Sequence, residues 1–209
     1  MAETRRKPGP RRALTEQEIL DAGLALLDTG GAAAASIRRI AAAVGVAPNA
    51  VYTYFPDKAA VERALVERLL AEVTGAGPGG GGDWRERVEA VAVDLRRQLI
   101  AHPGAVPLVL GGPRDGPNSL RVRECLLDLL AAGGLDPASA ARGSYTLMAY
   151  VLGSVALEVA DFPPGMLPPE AERIAARRAA LSEVPAQAFP RIAAATGVMA
   201  TLVGAEQFR

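Results

Sequence analysis

The chain has 209 residues, enough for one large or two small domains with a full hydrophobic core. It is 50% hydrophobic and 22% charged, and its 23 basic residues balance 23 acidic ones, which argues against a protein coated in positive charge. No apolar run nears the roughly 20 residues that span a bilayer, and the single cysteine, Cys125, excludes an internal disulfide or a cysteine metal cluster and fits a reducing cytoplasm.

Residues 1–13 hold Arg5, Arg6, Lys7, Arg11 and Arg12 around Pro8, Gly9 and Pro10, and read as a flexible basic arm without the apolar stretch of a secretory signal. Its arginines serve either contact with an anionic partner or solubility. Thr15 and Glu18 then have the spacing of a capping box, and Ile19, Ala22, Leu26 and Leu27 recur at helical spacing up to Gly30 and Gly31. Ser36 caps a second, short helix with Ile37, Ile40, Ala41 and Val44 on one face, ended by Gly45. Pro48 suits the first turn of a third helix, which Pro56 closes, and Asp57 caps a fourth running to about Val73.

The glycine-rich stretch 75–82 reads as a turn or linker between a unit at 14–74 and a larger one at 83–209. Asp83 and Trp84 follow it instead of Lys-Ser or Lys-Thr, which dismisses a phosphate-binding P-loop. Val88, Val91, Leu95 and Leu99 form the stripe of a helix at 84–101. A short helix between turns is expected within 103–117, further helices at 119–132 and 138–159, a mobile loop at 161–170, and two last helices at 170–182 and 187–196. No stretch alternates like a strand, so the chain reads as all-α.

The stretch GVAPNAVYTYFPDK, 45–58, carries the sharpest signal. Three short helices in succession, with a glycine in the turn between the second and third, form a helix-turn-helix pattern. Ala41 and Gly45 are small where the next helix must cross, and Val46, Val51 and Phe55 fill its inner face. Pro48, Asn49, Ala50 and Thr53 are then left on the exposed end that meets base edges. Tyr52 and Tyr54 are either phosphate contacts or packed aromatics. Lys58, one of only two lysines, stands at a helix start where ammonium and backbone both favour an anion.

These residues, within the segment 14–66, resemble the DNA-binding domain of the TetR (tetracycline repressor) family of transcriptional regulators. The resemblance implies a homodimer whose paired third helices enter successive major grooves of a pseudopalindromic double-stranded DNA operator. By position it makes Arg38, Asn49, Ala50 and Thr53 candidates for base contact and Tyr52, Tyr54 and Lys58 candidates for phosphate contact. Ala47, Pro48 and Ala50 have few hydrogen-bonding groups, so base readout leans on Arg38, Asn49 and Thr53, with apolar contact to thymine methyls.

Residues 98–161 resemble, more loosely and mostly by spacing, the C-terminal domain of the tetracycline-repressor branch, which encloses a ligand and dimerises. Gly143, Ala149, Gly153 and Ala156 permit close helix approach, and Tyr145, Leu152 and Val159 recur every seven residues. One face of that helix is expected as dimer seam and another as pocket wall. Candidate pocket residues are Leu99, His102, Leu108, Leu110, Arg114, Leu126, Leu129, Met148 and Leu152, with His102 either a helix cap or a ligand contact. His102 is the only histidine, so a metal-chelated ligand has no evident set of imidazoles, and a small, mostly apolar effector fits the aliphatic lining better. One histidine and one cysteine offer no recognisable catalytic set, so no enzyme activity, cofactor or metal is expected. Arg209 falls where the family pattern begins its last helix, so either that helix is lacking or the chain is shortened. The expected function is a cytoplasmic, ligand-responsive repressor; the alternative is a ligand-independent regulator or an activator on the same fold.

Overall fold

Thr15 sets where the first helix begins. In the computed structural model, which describes residues 14–75 and 82–208, the Thr15 hydroxyl accepts the Glu18 N–H at 3.2 Å and the Glu18 carboxylate takes the Thr15 N–H at 2.9 Å. This box satisfies N–H groups that a helix start leaves unpaired, and α1 runs Glu16–Gly30. The Ser36 hydroxyl accepts the Arg39 N–H at 3.3 Å ahead of α2, Ile37–Ala43. After four residues, 44–47, comes α3, Pro48–Val51, with proline at its first position. Asp57 accepts the Ala60 N–H at 2.7 Å and opens α4, Lys58–Ala71.

The third helix differs from the expectation. It was to run on to Pro56, but α-helical bonding stops at Val51 and residues 52–54 continue as tight turns, with the Thr53 N–H on the Ala50 carbonyl at 3.3 Å and the Tyr54 N–H on that of Val51 at 3.0 Å. Pro56 offers no N–H and disfavours helical backbone at Phe55, which forces the last turn to tighten.

Asp83 caps α5, Trp84–Ala101, through a second capping box with Glu86. A 3-10 turn, Pro103–Ala105, leads into α6, Val106–Gly111, then α7, Pro117–Ala132. Asp136 caps α8, Pro137–Val159. Then come α9, Glu170–Ser182, and α10, Pro190–Thr201, followed by a 3-10 turn at Ala205–Phe208. The last helix starts later than expected. The Ala188 and Phe189 N–H groups turn back to the Pro185 carbonyl at 3.1 and 2.9 Å, and Pro190 then sets the first helical position. Among the described residues these ten α-helices occur without a strand, and no helix is long and apolar enough to cross a membrane. The basic arm and the middle of the glycine-rich stretch lie outside the described residues.

The core is continuous along the chain. Ile19, Ile40, Val51 and Leu65 fill it at one end, and Leu95, Leu99, Leu126 and Val155 at the other. The join is close. The 3-10 turn meets the end of α1 backbone to backbone: a β-carbon on Gly104 would lie 1.9 Å from the Leu27 carbonyl oxygen. A second join binds α4 to α7 in both directions. Glu67 of α4 accepts the N–H groups of Asn118 and Ser119 at 2.5 and 3.1 Å, capping a helix whose own N-cap, Gly116, has no side chain to do so. Arg121 of α7 returns the favour at the end of α4, donating to the carbonyls of Leu70, Ala71 and Val73 at 3.0–3.1 Å.

A buried charge cluster, invisible in the sequence reading, holds α5, α8 and α9 together. Arg96 donates to Glu158 at 2.6 Å and to Glu170 at 2.8 Å, and Arg173 donates to Glu158 and to the Pro168 carbonyl. Arg96, Glu158 and Arg173 are all buried, so each needs the others to offset lost hydration.

Candidate DNA-reading face and effector cavity

The turn between α2 and α3 decides what faces outward. Gly45 has φ 72°, a left-handed value that suits glycine, and its neighbour Val46 returns its N–H to the Ala41 carbonyl at 2.9 Å. With Ala41 fully buried beneath it, α3 crosses α2 closely. Val51 and Phe55 are drawn into the core. Asn49 on α3, Tyr52 and Thr53 just past its end, and Arg38 on α2 are left exposed, and Ala50 is half-buried.

The expected phosphate contacts separate. Tyr52 is 48% exposed. Lys58 is exposed and pairs with Glu62 one turn along at 2.8 Å, a surface pair worth roughly 0.3–0.5 kcal/mol, which a phosphate easily displaces. Tyr54 is different. It is half-buried, and its hydroxyl donates to the Leu14 carbonyl, so the donor assigned to phosphate is used inside the protein to tie Leu14, just ahead of α1, to the turns that follow α3. Of the two readings open for Tyr54, the structure favours packing.

The expected pocket residues separate as well. Leu110, Arg114, Met148 and Leu152 line a cavity of about 540 Å³ between α6, α7 and α8, joined there by Arg123, Leu127, Ser144 and Tyr145. Leu99, Leu126 and Leu129 are buried in the core instead, and Leu108 packs against it. Spacing alone did not distinguish the core face of a helix from its cavity face. His102 caps α5, and its Nδ1 lies 2.7 Å from Asp28 of α1, away from this cavity. Tyr145 and Leu152, seven residues apart on α8, both line the cavity, Tyr145 exposed at its rim and Leu152 buried.

The cavity is tied to the reading face. The segment 112–116, which carries Arg114, runs along α4. Arg63 of α4 donates to Asp115 at 3.3 Å, and a β-carbon on Gly116 would lie 2.3 Å from the Glu67 side chain. α4 in turn packs on α1, α1 on α2, and α2 on α3. The sequence reading missed Arg63, Glu67, Asp115 and Arg121, whose partners lie some fifty residues away in the chain.

Residues 19–65 match the family model for bacterial regulatory proteins of the tetR family, and residues 76–209 match that for the tetracyclin repressor-like C-terminal domain. An HTH-type transcriptional regulator of Saccharopolyspora erythraea is 31% identical over 145 residues, which are 69% of this chain and only 61% of that relative's own length. A possible TetR family transcriptional regulator from Streptomyces coelicolor A3(2) superposes with a TM-score of 0.75 at 31% identity, over 93% of each chain. The Streptomyces coelicolor TetR family protein ActR, solved in complex with (S)-DNPA, superposes with a TM-score of 0.72 at 25% identity, over 94% of this chain and 91% of that one. These relatives are transcriptional regulators, not enzymes.

Proposed function

The chain belongs to the tetR family of bacterial regulatory proteins, and on that premise we propose that it is a cytoplasmic repressor that binds a pseudopalindromic operator as a homodimer and releases it on binding a small, mostly apolar effector. The observation that carries this reading is the link from cavity to reading face: the cavity-lining segment 112–116 is tied to α4 by Arg63 and Asp115, and α7 by Glu67 and Ser119.

On DNA, the leading end of α3 enters the major groove, with Arg38, Asn49 and Thr53 toward base edges, Ala50 against thymine methyls, and Tyr52 and Lys58 on the phosphates. Two copies read one operator when their α3 helices stand about 34–36 Å apart, one helical turn of the duplex. Leu157, 78% exposed on α8, and Val198, 69% exposed on α10, support a pairing surface for the second copy. An effector in the cavity moves the segment beside α4, tilts α4 and changes that separation, so affinity falls. The complex of ActR with (S)-DNPA supports a ligand-binding role for the larger unit.

The test is selection of bound fragments from genomic DNA by the purified protein, followed by release with small, mostly apolar molecules, both neutral and anionic. Recovery of a palindrome with half-sites one turn apart supports the operator reading. A recovered operator that no such molecule releases refutes the sensing half.

A further inference from the structure

The charge around the 540 Å³ cavity is all of one sign, unlike the mixed charge around two others. Aliphatic side chains, Leu110, Leu127, Met148 and Leu152, make its wall, and its only charged lining residues are Arg114 and Arg123. No carboxylate lines it among the described residues. The cavity beside α1 and α4 is lined by Asp21, Asp28 and Glu72 against one arginine, Arg68, and the one under α9 by Asp28 and Glu170 against Arg173, so carboxylates outnumber guanidinium groups in both. The chain as a whole is neutral, so an acid-free cavity with two guanidinium groups does not follow from bulk charge.

Among the described residues neither Arg114 nor Arg123 has an ion-pair or hydrogen-bond partner. Asp115, the carboxylate next in sequence to Arg114, is turned to Arg63. Arg114 is half-buried and Arg123 exposed, so a neutral ligand seated against them strips part of their water and returns nothing. A carboxylate or sulfonate offsets that loss, because the planar guanidinium donates two parallel bonds to such an oxyanion.

We propose that the effector is an amphipathic anion, its apolar body against Leu110, Leu127, Met148 and Leu152 and its acidic group held by Arg114 and Arg123. This deepens the effector-release reading and rests on it. Arg114 sits beside the Asp115–Arg63 contact, so the ligand's charge engages the same segment that α4 holds.

The experiment compares two fluorescent naphthylamines with the full-length protein: 1-anilinonaphthalene-8-sulfonate, an anion, and N-phenyl-1-naphthylamine, its neutral relative. The expected result is a preference for the anion of about tenfold or more, shrinking with added salt. In R114M and R123M, checked for folding by circular dichroism, the ratio of affinities falls toward one. Equal affinity for the two dyes in the unmodified chain, or a preference kept in both variants, overturns the anionic class and leaves the cavity reading standing. Failure of both dyes to bind overturns the cavity reading and this proposal with it.

Discussion

Glu67 on α4 accepts both the backbone N–H of Ser119, at 3.1 Å, and its hydroxyl, at 2.5 Å. A helix cap is thus supplied from another helix. The E67A variant leaves the start of α7 uncapped, because Gly116 supplies no side chain there. Urea denaturation is expected to show a loss of about 1–2 kcal/mol, more than for an ordinary half-exposed glutamate.

Arg63 and Asp115 behave differently. Both are well exposed, with side chains 47% and 71% accessible, so R63Q and D115N change stability by less than about 1 kcal/mol. Their expected effect is on coupling: the effector concentration that releases half the operator rises in each single variant. The double variant matches the singles if the pair acts as one link. Titrations of operator binding at fixed salt measure it.

Tyr52 and Tyr54 make a paired test of the reading face. Y52F is expected to weaken operator binding by about 0.5–1.5 kcal/mol while leaving the melting curve alone. Y54F does the reverse, losing the bond to the Leu14 carbonyl and with it about 1 kcal/mol of stability. K58A weakens binding to all sequences and lowers the slope of affinity against salt by about one ion. R38A relaxes base preference at one position of each half-site, a change of about 1–3 kcal/mol in discrimination.

The buried cluster gives the molecule an acid limit. Burial raises the Glu170 carboxyl, but the Ala205 N–H and the guanidinium of Arg96 outweigh it and hold Glu170 below its ordinary value of 4.5. A carboxylate lowered by folding contributes stability that is present above its unfolded pKa and lost as pH falls through the folded one. Denaturation midpoints are therefore expected to drop below about pH 4.5, with a shallower drop in E170Q. E158A leaves Arg96 and Arg173 without their shared partner and costs about 3–5 kcal/mol at neutral pH.

Local signals were legible in the sequence. Thr15 with Glu18, Ser36 and Asp57 each cap a helix where the residue order alone places one, because a cap and the N–H it satisfies lie within three residues. The turn at Gly45 was legible for the same reason. What joins distant parts was not. Leu14 and Tyr54 lie 40 residues apart, Arg96 and Glu158 62 apart, and nothing in either neighbourhood marks the match. The cavity was half legible: aliphatic periodicity finds a helix's apolar side, but Leu126, in the core, and Leu127, in the cavity, are neighbours whose fates only packing separates.

At Gly104 the two halves of the molecule touch through bare main chain, with the Leu27 carbonyl 1.9 Å from where a β-carbon would sit. No side chain stands between them to absorb a shift, so the turn has little room to move without the end of α1 moving too. A reading head grafted onto a foreign sensor keeps this stiffness only where the recipient also has glycine at that place; any bulkier residue prises the halves apart.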